Sequence, residues 1–171
     1  PLLSKLNESI EQGVIPEPPN EKLQFSIIVP VFNEYRNGHI FRLIEAFSLQ
    51  HSTSAETFEL ILLVNCLETA SQDAKLDNVN TLALVDAITN KEVVLEDSSD
   101  YHQRVLQLAR NKGLVIHAID LTSQPLKPLT QDRKTNVPIG RIRQYGLRES
   151  IRRFAHTARG ELGIVVNFDA D

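Results

Sequence analysis

Phe25-Ser26-Ile27-Ile28-Val29-Pro30-Val31-Phe32-Asn33-Glu34 is the stretch whose reading decides the fold. Its first seven residues form a largely β-branched, mostly apolar run without alternation, the pattern of a strand buried on both faces of a parallel sheet. Pro30 falls at the carboxyl end, where no ladder donor is needed. A polar turn, Phe32-Asn33-Glu34, follows. Ile40, Leu43, Ile44 and Phe47 then recur at helical spacing, so the first unit is strand, turn, helix.

The same logic extends outward. Phe58 to Val64 is a second buried strand ending at Asn65-Cys66, and Glu68 to Asp77 is a polar loop. Val79, Leu82, Ala83, Val85 and Ile88 predict a second helix, and Val93-Val94-Leu95 is either a short edge strand or loop. Tyr101 to Asn111 is helical with Gly113 as its C-terminal cap, and Leu114 to Leu121 is a third strand. The proline-bearing stretch 122–138 is a long loop of the kind that tends to carry function. Ile139 to Arg159 is the longest helix; at about 100° per residue its packing side is Leu147, Ile151, Phe154 and Ala158. Arg141, Arg148, Arg152 and Arg159 line up beside that face, either as a solvated flank or as a basic edge for an anionic ligand.

The last stretch, Gly163-Ile164-Val165-Val166-Asn167-Phe168-Asp169-Ala170-Asp171, predicts an interior strand that ends on two carboxylates. Alternation puts Asp169 and Asp171 on one face, where their oxygens can converge on a divalent cation. An isolated Asp-x-Asp is equally the acidic turn at a strand end. The order of elements predicts an α/β fold: a Rossmann-like, mostly parallel sheet with helices on both faces. Ligands of such sheets bind beyond the carboxyl ends of the strands, where Asn33, Glu34, Asn65, Asp169 and Asp171 gather.

Bulk properties bound the rest. The chain has 171 residues, a net charge of −4 and one cysteine. That length suits one domain: residues 1–24 read as an N-terminal helix and Pro-rich linker, and 25–171 as the folded unit. The charge gives no general attraction to nucleic acid or anionic membrane. Cys66 has no disulfide partner, which suits a reducing, cytoplasmic setting, and no apolar run reaches the roughly 20 residues of a transmembrane helix. G-x-G-x-x-G is absent after every strand, which argues against a dinucleotide-dependent oxidoreductase. Pro30 to Glu34 is not the Gly-rich phosphate loop expected of a nucleotidyltransferase.

Three segments together resemble the donor-binding half of a family 2 glycosyltransferase of the GT-A fold. Ser26 to Glu34 is similar to that family's first strand and Pro-x-Tyr-Asn-Glu turn. Ile142-Arg143-Gln144-Tyr145-Gly146-Leu147 resembles its Ala-Arg-Asn-x-Gly segment, and Gly160-Glu161 with the strand into Asp169-Ala170-Asp171 resembles its Gly-Asp/Glu and Asp-x-Asp. The likeness spans 25–171. It implies transfer of a sugar from a UDP- or GDP-sugar to an unknown acceptor, with Mn²⁺ or Mg²⁺ held by Asp169 and Asp171. It also implies donor contacts from Pro30, Phe32, Asn33, Glu34, Asn65, Asp169 and either Arg141 or Arg143. Phe32 is then a base-stacking residue, or else core; Glu34 orders the turn. The family's Asp-Asp-Gly-Ser is replaced by Val64-Asn65-Cys66-Leu67, so the base contact lacks a charge. The catalytic base is expected beyond Asp171. A non-catalytic nucleotide-binding or scaffolding relative is the alternative.

Overall fold

The computed structural model describes residues 14–50, 58–95, 98–122, 139–157 and 163–169. Among these residues four strands, β1 (Phe25–Val31), β2 (Phe58–Val64), β3 (Ile116–Asp120) and β4 (Ile164–Asn167), form one parallel sheet in the order β3-β2-β1-β4. Helices α1 (His39–Leu49), α2 (Gln72–Thr89), α3 (Asp100–Lys112) and α4 (Ile139–Ala155) connect them. The α/β class read from the sequence is the one observed. No helix among the described residues is long and apolar enough to cross a membrane.

Each sheet face makes its own core. Val29, Val31, Leu60, Leu62 and Val64 pack with α1, α2 and α3 in the larger one. On the opposite face Ile28, Ile61, Leu63 and Ile119 meet Ile142 of α4 and Ile15 of the preceding segment. Toward the amino ends of the strands this second face turns polar, with Ser26, Glu59 and His117 in place of aliphatics. It therefore demands a polar helix above it. Glu59 and Arg153, both 1 % exposed, form a salt bridge of 2.7 Å; Arg153 also donates to the Glu17 carbonyl and to His117 Nε2. Ser26 Oγ donates to Glu59 and shares a hydrogen bond with Ser150 Oγ.

That network corrects the expected packing side of α4. Leu147 and Ile151 are 42 % and 40 % exposed, while Ile142, Gly146, Glu149, Ser150, Arg153 and Phe154 are buried. Helical periodicity locates a stripe, but here the stripe facing the sheet is half polar because the sheet beneath it is. The last strand needs correcting too. Among the described residues β4 is bonded only to β1, and Ile164, Val166 and Phe168 are exposed; an apolar run is interior only when flanked on both sides. Helix α2 begins at Gln72, inside the stretch read as loop, with Ser71 Oγ accepting from the Ala74 amide. Residues 91–95 form no strand.

The expected N-terminal helix and Ala158, Arg159, Gly160 and Glu161 lie outside the described residues. Of the linker, Ile15 and Leu23 are buried, and the Val14 and Ile15 amides donate to the Glu149 carboxylate. Burial alone would raise the Glu149 carboxyl, but hydrogen bonds from Arg152 and from those two amides outweigh it and hold it below its ordinary value. His117 is lowered by its burial and by the neighbouring Arg153. Both shifts act in one direction. A depressed carboxyl contributes stability above its unfolded value of 4.5, lost as pH falls through its folded value. A depressed imidazole stays neutral while the unfolded chain takes up a proton, so stability also falls as pH drops below 6.5. Guanidinium unfolding from pH 7.5 to below 4.5 is expected to show a midpoint that declines on acidification. His117→Gln should flatten the upper part of that decline.

Candidate functional site

From β1 the chain steps to β2 and β3 on one side, then crosses back to place β4 on the other side of β1. The order thus reverses between β1 and β4, where a doubly wound sheet opens its ligand crevice at the carboxyl ends of the strands. The hydrogen bond from the Phe168 amide to the Ile28 carbonyl fixes the even residues of β1 toward β4. Pro30 would also point that way, but it lies beyond the last β1–β4 pair, Ile28↔Asn167, so its missing donor costs no ladder bond.

The turn after β1 holds Asn33 at φ 60°, a left-handed conformation that asparagine tolerates better than most residues. Phe32 is half-buried beside it. The Asn33 amide donates to Asn78 Oδ1, and the Tyr35 and Arg36 amides donate to the two oxygens of Asp77. Glu34 is spent on the turn itself: its carboxylate lies 2.6 Å from His39 Nδ1 and its carbonyl accepts from the Ile40 amide. At the end of β2, Asn65 donates through Nδ2 to the Val31 and Leu63 carbonyls. Two carbonyls at that nitrogen fix which way the amide points. Cys66 beside it is buried, and burial raises its thiol, so it is no thiolate nucleophile at neutral pH.

On the far side of the crevice, alternation places Val165, Asn167 and Asp169 toward α4. Asp169 is met there by Arg143, with Nη2 2.5 Å from Oδ1. Arg141 is not brought to the rim. Two residues apart on a helix is about 200° of rotation, so only one of the two arginines can face β4; Arg141 lines a shallow exposed depression with Gln144, Tyr145 and Arg148. Gly146, one turn from Arg143, lets α4 approach: a Cβ there would lie 2.9 Å from Ile28 Cγ2 and Leu63 Cδ1. Gly146→Val is therefore expected to destabilise by about 1–3 kcal/mol and to lift Arg143 from Asp169. Denaturant unfolding checks the first effect and nucleotide affinity the second.

Among the described residues two buried side-chain polar atoms have no hydrogen-bond partner, Asn65 Oδ1 and Arg143 Nε. Such atoms are uncommon in folded proteins and each calls for an explanation. One is an acceptor on the residue that follows β2, the other a donor on the α4 arginine paired with Asp169 after β4. An apolar groove of about 620 Å³ adjoins the site between α1 and β4, with Arg42 and His39 along its border and Asp169 at its end.

No group of three or more His, Cys, Asp and Glu that could hold a metal is found among the described residues, and Asp171 lies outside them. Asp169 offers an exposed carboxylate after β4. Mg²⁺ commonly takes one or two carboxylates and completes its shell with phosphate and water oxygens, so the residue fits such an ion. Comparison of the chain with protein-family models, with curated proteins and with solved structures gives no match.

Sequence reasoning missed Asp77 and Asn78, which hold the turn after β1. Their signal was Ser71 followed by Asp73, an N-cap with an acid in the first turn, which would have started the helix early enough to carry them.

Proposed function

We propose that this chain binds a nucleotide-diphosphate sugar at the carboxyl rim and serves as the donor site of a metal-dependent, family 2-like glycosyltransferase. The observation that carries the proposal is the pair of unpartnered buried atoms at the carboxyl end of the sheet and on the helix beside it, an acceptor on Asn65 after β2 and a donor on Arg143 of α4. A nucleotide-diphosphate offers the complementary pair: an N–H on the base edge and anionic oxygens on the diphosphate. Asn65 Oδ1 would accept from the base, the Asn33 turn would position base and ribose, and Arg143 would make charge-assisted bonds to the diphosphate. A divalent cation held by Asp169, with Asp171 as the second carboxylate expected from the sequence, would offset the charge of the departing diphosphate as a Lewis acid. Arg143 must then exchange Asp169 for phosphate. Their exposed pair is worth only about 0.2–1 kcal/mol, so the exchange is inexpensive.

A second reading, a nucleotide-binding relative without turnover, is favoured by Asn65. Its N–H groups are committed to strand-end carbonyls and it brings no charge. Titration calorimetry with UDP- and GDP-sugars and Mn²⁺ tests for a donor site, and metal-dependent binding is the expected result. Release of free nucleoside diphosphate over time separates turnover from binding alone.

A further inference from the structure

We infer that the outer edge of β3 is a docking site for an extended peptide whose side chains alternate between apolar and basic, added to the sheet as a further strand. The inference is independent of the nucleotide site proposed above, which opens between β1 and β4. Among the described residues β3 is bonded on one side only, to β2. The Leu60 amide donates to the Val115 carbonyl and the Leu121 amide to the Val64 carbonyl, which turns the main chain of the odd residues toward β2. The intervening residues of a parallel ladder point their N–H and C=O the other way, so Ile116 and Ala118 present theirs outward. Among the described residues neither main chain finds a partner there. Ile116 is nonetheless 1 % exposed, and buried main-chain groups left unpaired are rare. Edge strands are commonly blunted by lysine, proline or a bulge. Ile116–Asp120 contains neither residue and pairs with β2 without interruption.

Alongside that edge lies a cavity of about 320 Å³, with α2 as one wall and the segment from Val14 to Glu17 as the other. Ile116 and Ala118 pack into the core beneath α2, and His117 points to the opposite face, where it meets Arg153. A strand laid beside β3 would therefore set alternate side chains against Leu82 and Val85 of α2, and the others beside His117 and Glu17. The first wall is apolar. The second carries the Glu17 carboxylate, whose side chain is 65 % exposed, and Asp86 stands exposed at the border of α2. No lysine or arginine is among the described residues that line the cavity, and burial together with Arg153 keeps His117 neutral at pH 7. The occupant must bring its own positive charge. A second copy of this chain would instead set like charges together across the shared edge. Main-chain bonds to Ile116 and Ala118 supply affinity in this mode of recognition, and the two walls supply the choice of side chain.

The test is fluorescence anisotropy of a short labelled peptide of alternating valine and lysine, compared at low salt with its valine-glutamate counterpart. The wild-type chain is expected to bind the lysine peptide saturably and at least about tenfold more tightly than the glutamate one. Two further lysine peptides carry N-methyl groups, one on every valine amide and one on every lysine amide. Only one of those sets can face β3, so one methylated peptide should lose at least about tenfold in affinity while the other binds within about threefold of the parent. Ala118→Pro deletes an outward N–H without touching the β2 ladder and should weaken binding about three- to tenfold. Should it fold poorly, Glu17→Lys serves, because the Glu17 carbonyl and not its carboxylate accepts from Arg153; this variant should weaken the lysine peptide and favour the glutamate one. Absence of binding by the wild type, indifference to the sign of the peptide's charge, or equal behaviour of the two methylated peptides overturns the inference. So does a dimer of the chain that Ala118→Pro dissociates, which would make a second copy the occupant.

Discussion

Glu59→Ala is expected to destabilise the domain by about 3–5 kcal/mol, the usual effect of stripping one partner from a buried ion pair. For a chain of this size that corresponds to a fall in melting temperature of about 6–20 °C. The cause is what the substitution leaves behind. Arg153 is 1 % exposed and gives Nε and Nη2 to Glu59, so its guanidinium would be buried with only the Glu17 carbonyl and His117 Nε2 as partners. Arg153→Ala is expected to be as damaging, since it strands the Glu59 carboxylate. Replacing both together, by Leu and Met, should recover much of the loss, because apolar side chains of similar volume often substitute for a buried pair at little cost. Thermal unfolding of the two single variants and the double variant measures this coupling. Additive losses would mean that the pair does not act as a unit.

Arg143→Gln is expected to weaken nucleoside-diphosphate binding by about 10- to 100-fold, the loss of a charge-assisted hydrogen bond of about 1.5–3 kcal/mol. The same substitution releases Asp169 from its guanidinium partner. Binding of Mn²⁺ without nucleotide should therefore be unchanged or up to about fivefold tighter, since an exposed pair contributes no more than about 1 kcal/mol. Opposite signs for the two ligands set this apart from unfolding of α4, which would weaken both. Arg141→Gln serves as the control: it lies on the other side of the helix, against Gln144, Tyr145 and Arg148, and should leave both affinities near those of the wild type.

The fold was legible where a segment's apolar pattern matched its surroundings. Phe25–Val31 and Phe58–Val64 have the predicted bounds because both strands are covered on two faces and bonded on two edges. Gly113 caps α3 at φ 64° as its position suggested. Legibility failed where polar groups face inward. The start of α2 buries Asp77, Asn78 and Thr81, the first two against backbone after β1 and β2, so no apolar stripe announces it. Helix α4 buries Glu149, Ser150 and Arg153 over Ser26, Glu59 and His117, and pattern reasoning assigned Leu147 and Ile151 to the inside instead. Of the candidate site, the sequence placed Asn33, Asn65 and Asp169 at the strand ends, as observed. It could not choose between Arg143 and Arg141, because that choice depends on how α4 rotates over the sheet. Gly146 and the buried Arg153 settle that rotation.

The central claim is that Asp169 and Arg143 mark the diphosphate end of a donor site. It is tested most directly by calorimetric titration of UDP and GDP into the wild-type chain and into Asp169→Asn, each with and without Mn²⁺. Saturable, Mn²⁺-dependent binding of at least one nucleotide by the wild type, lost in Asp169→Asn with the melting temperature preserved, is the predicted result. Equal affinity in the two proteins, or binding indifferent to Mn²⁺, would contradict it.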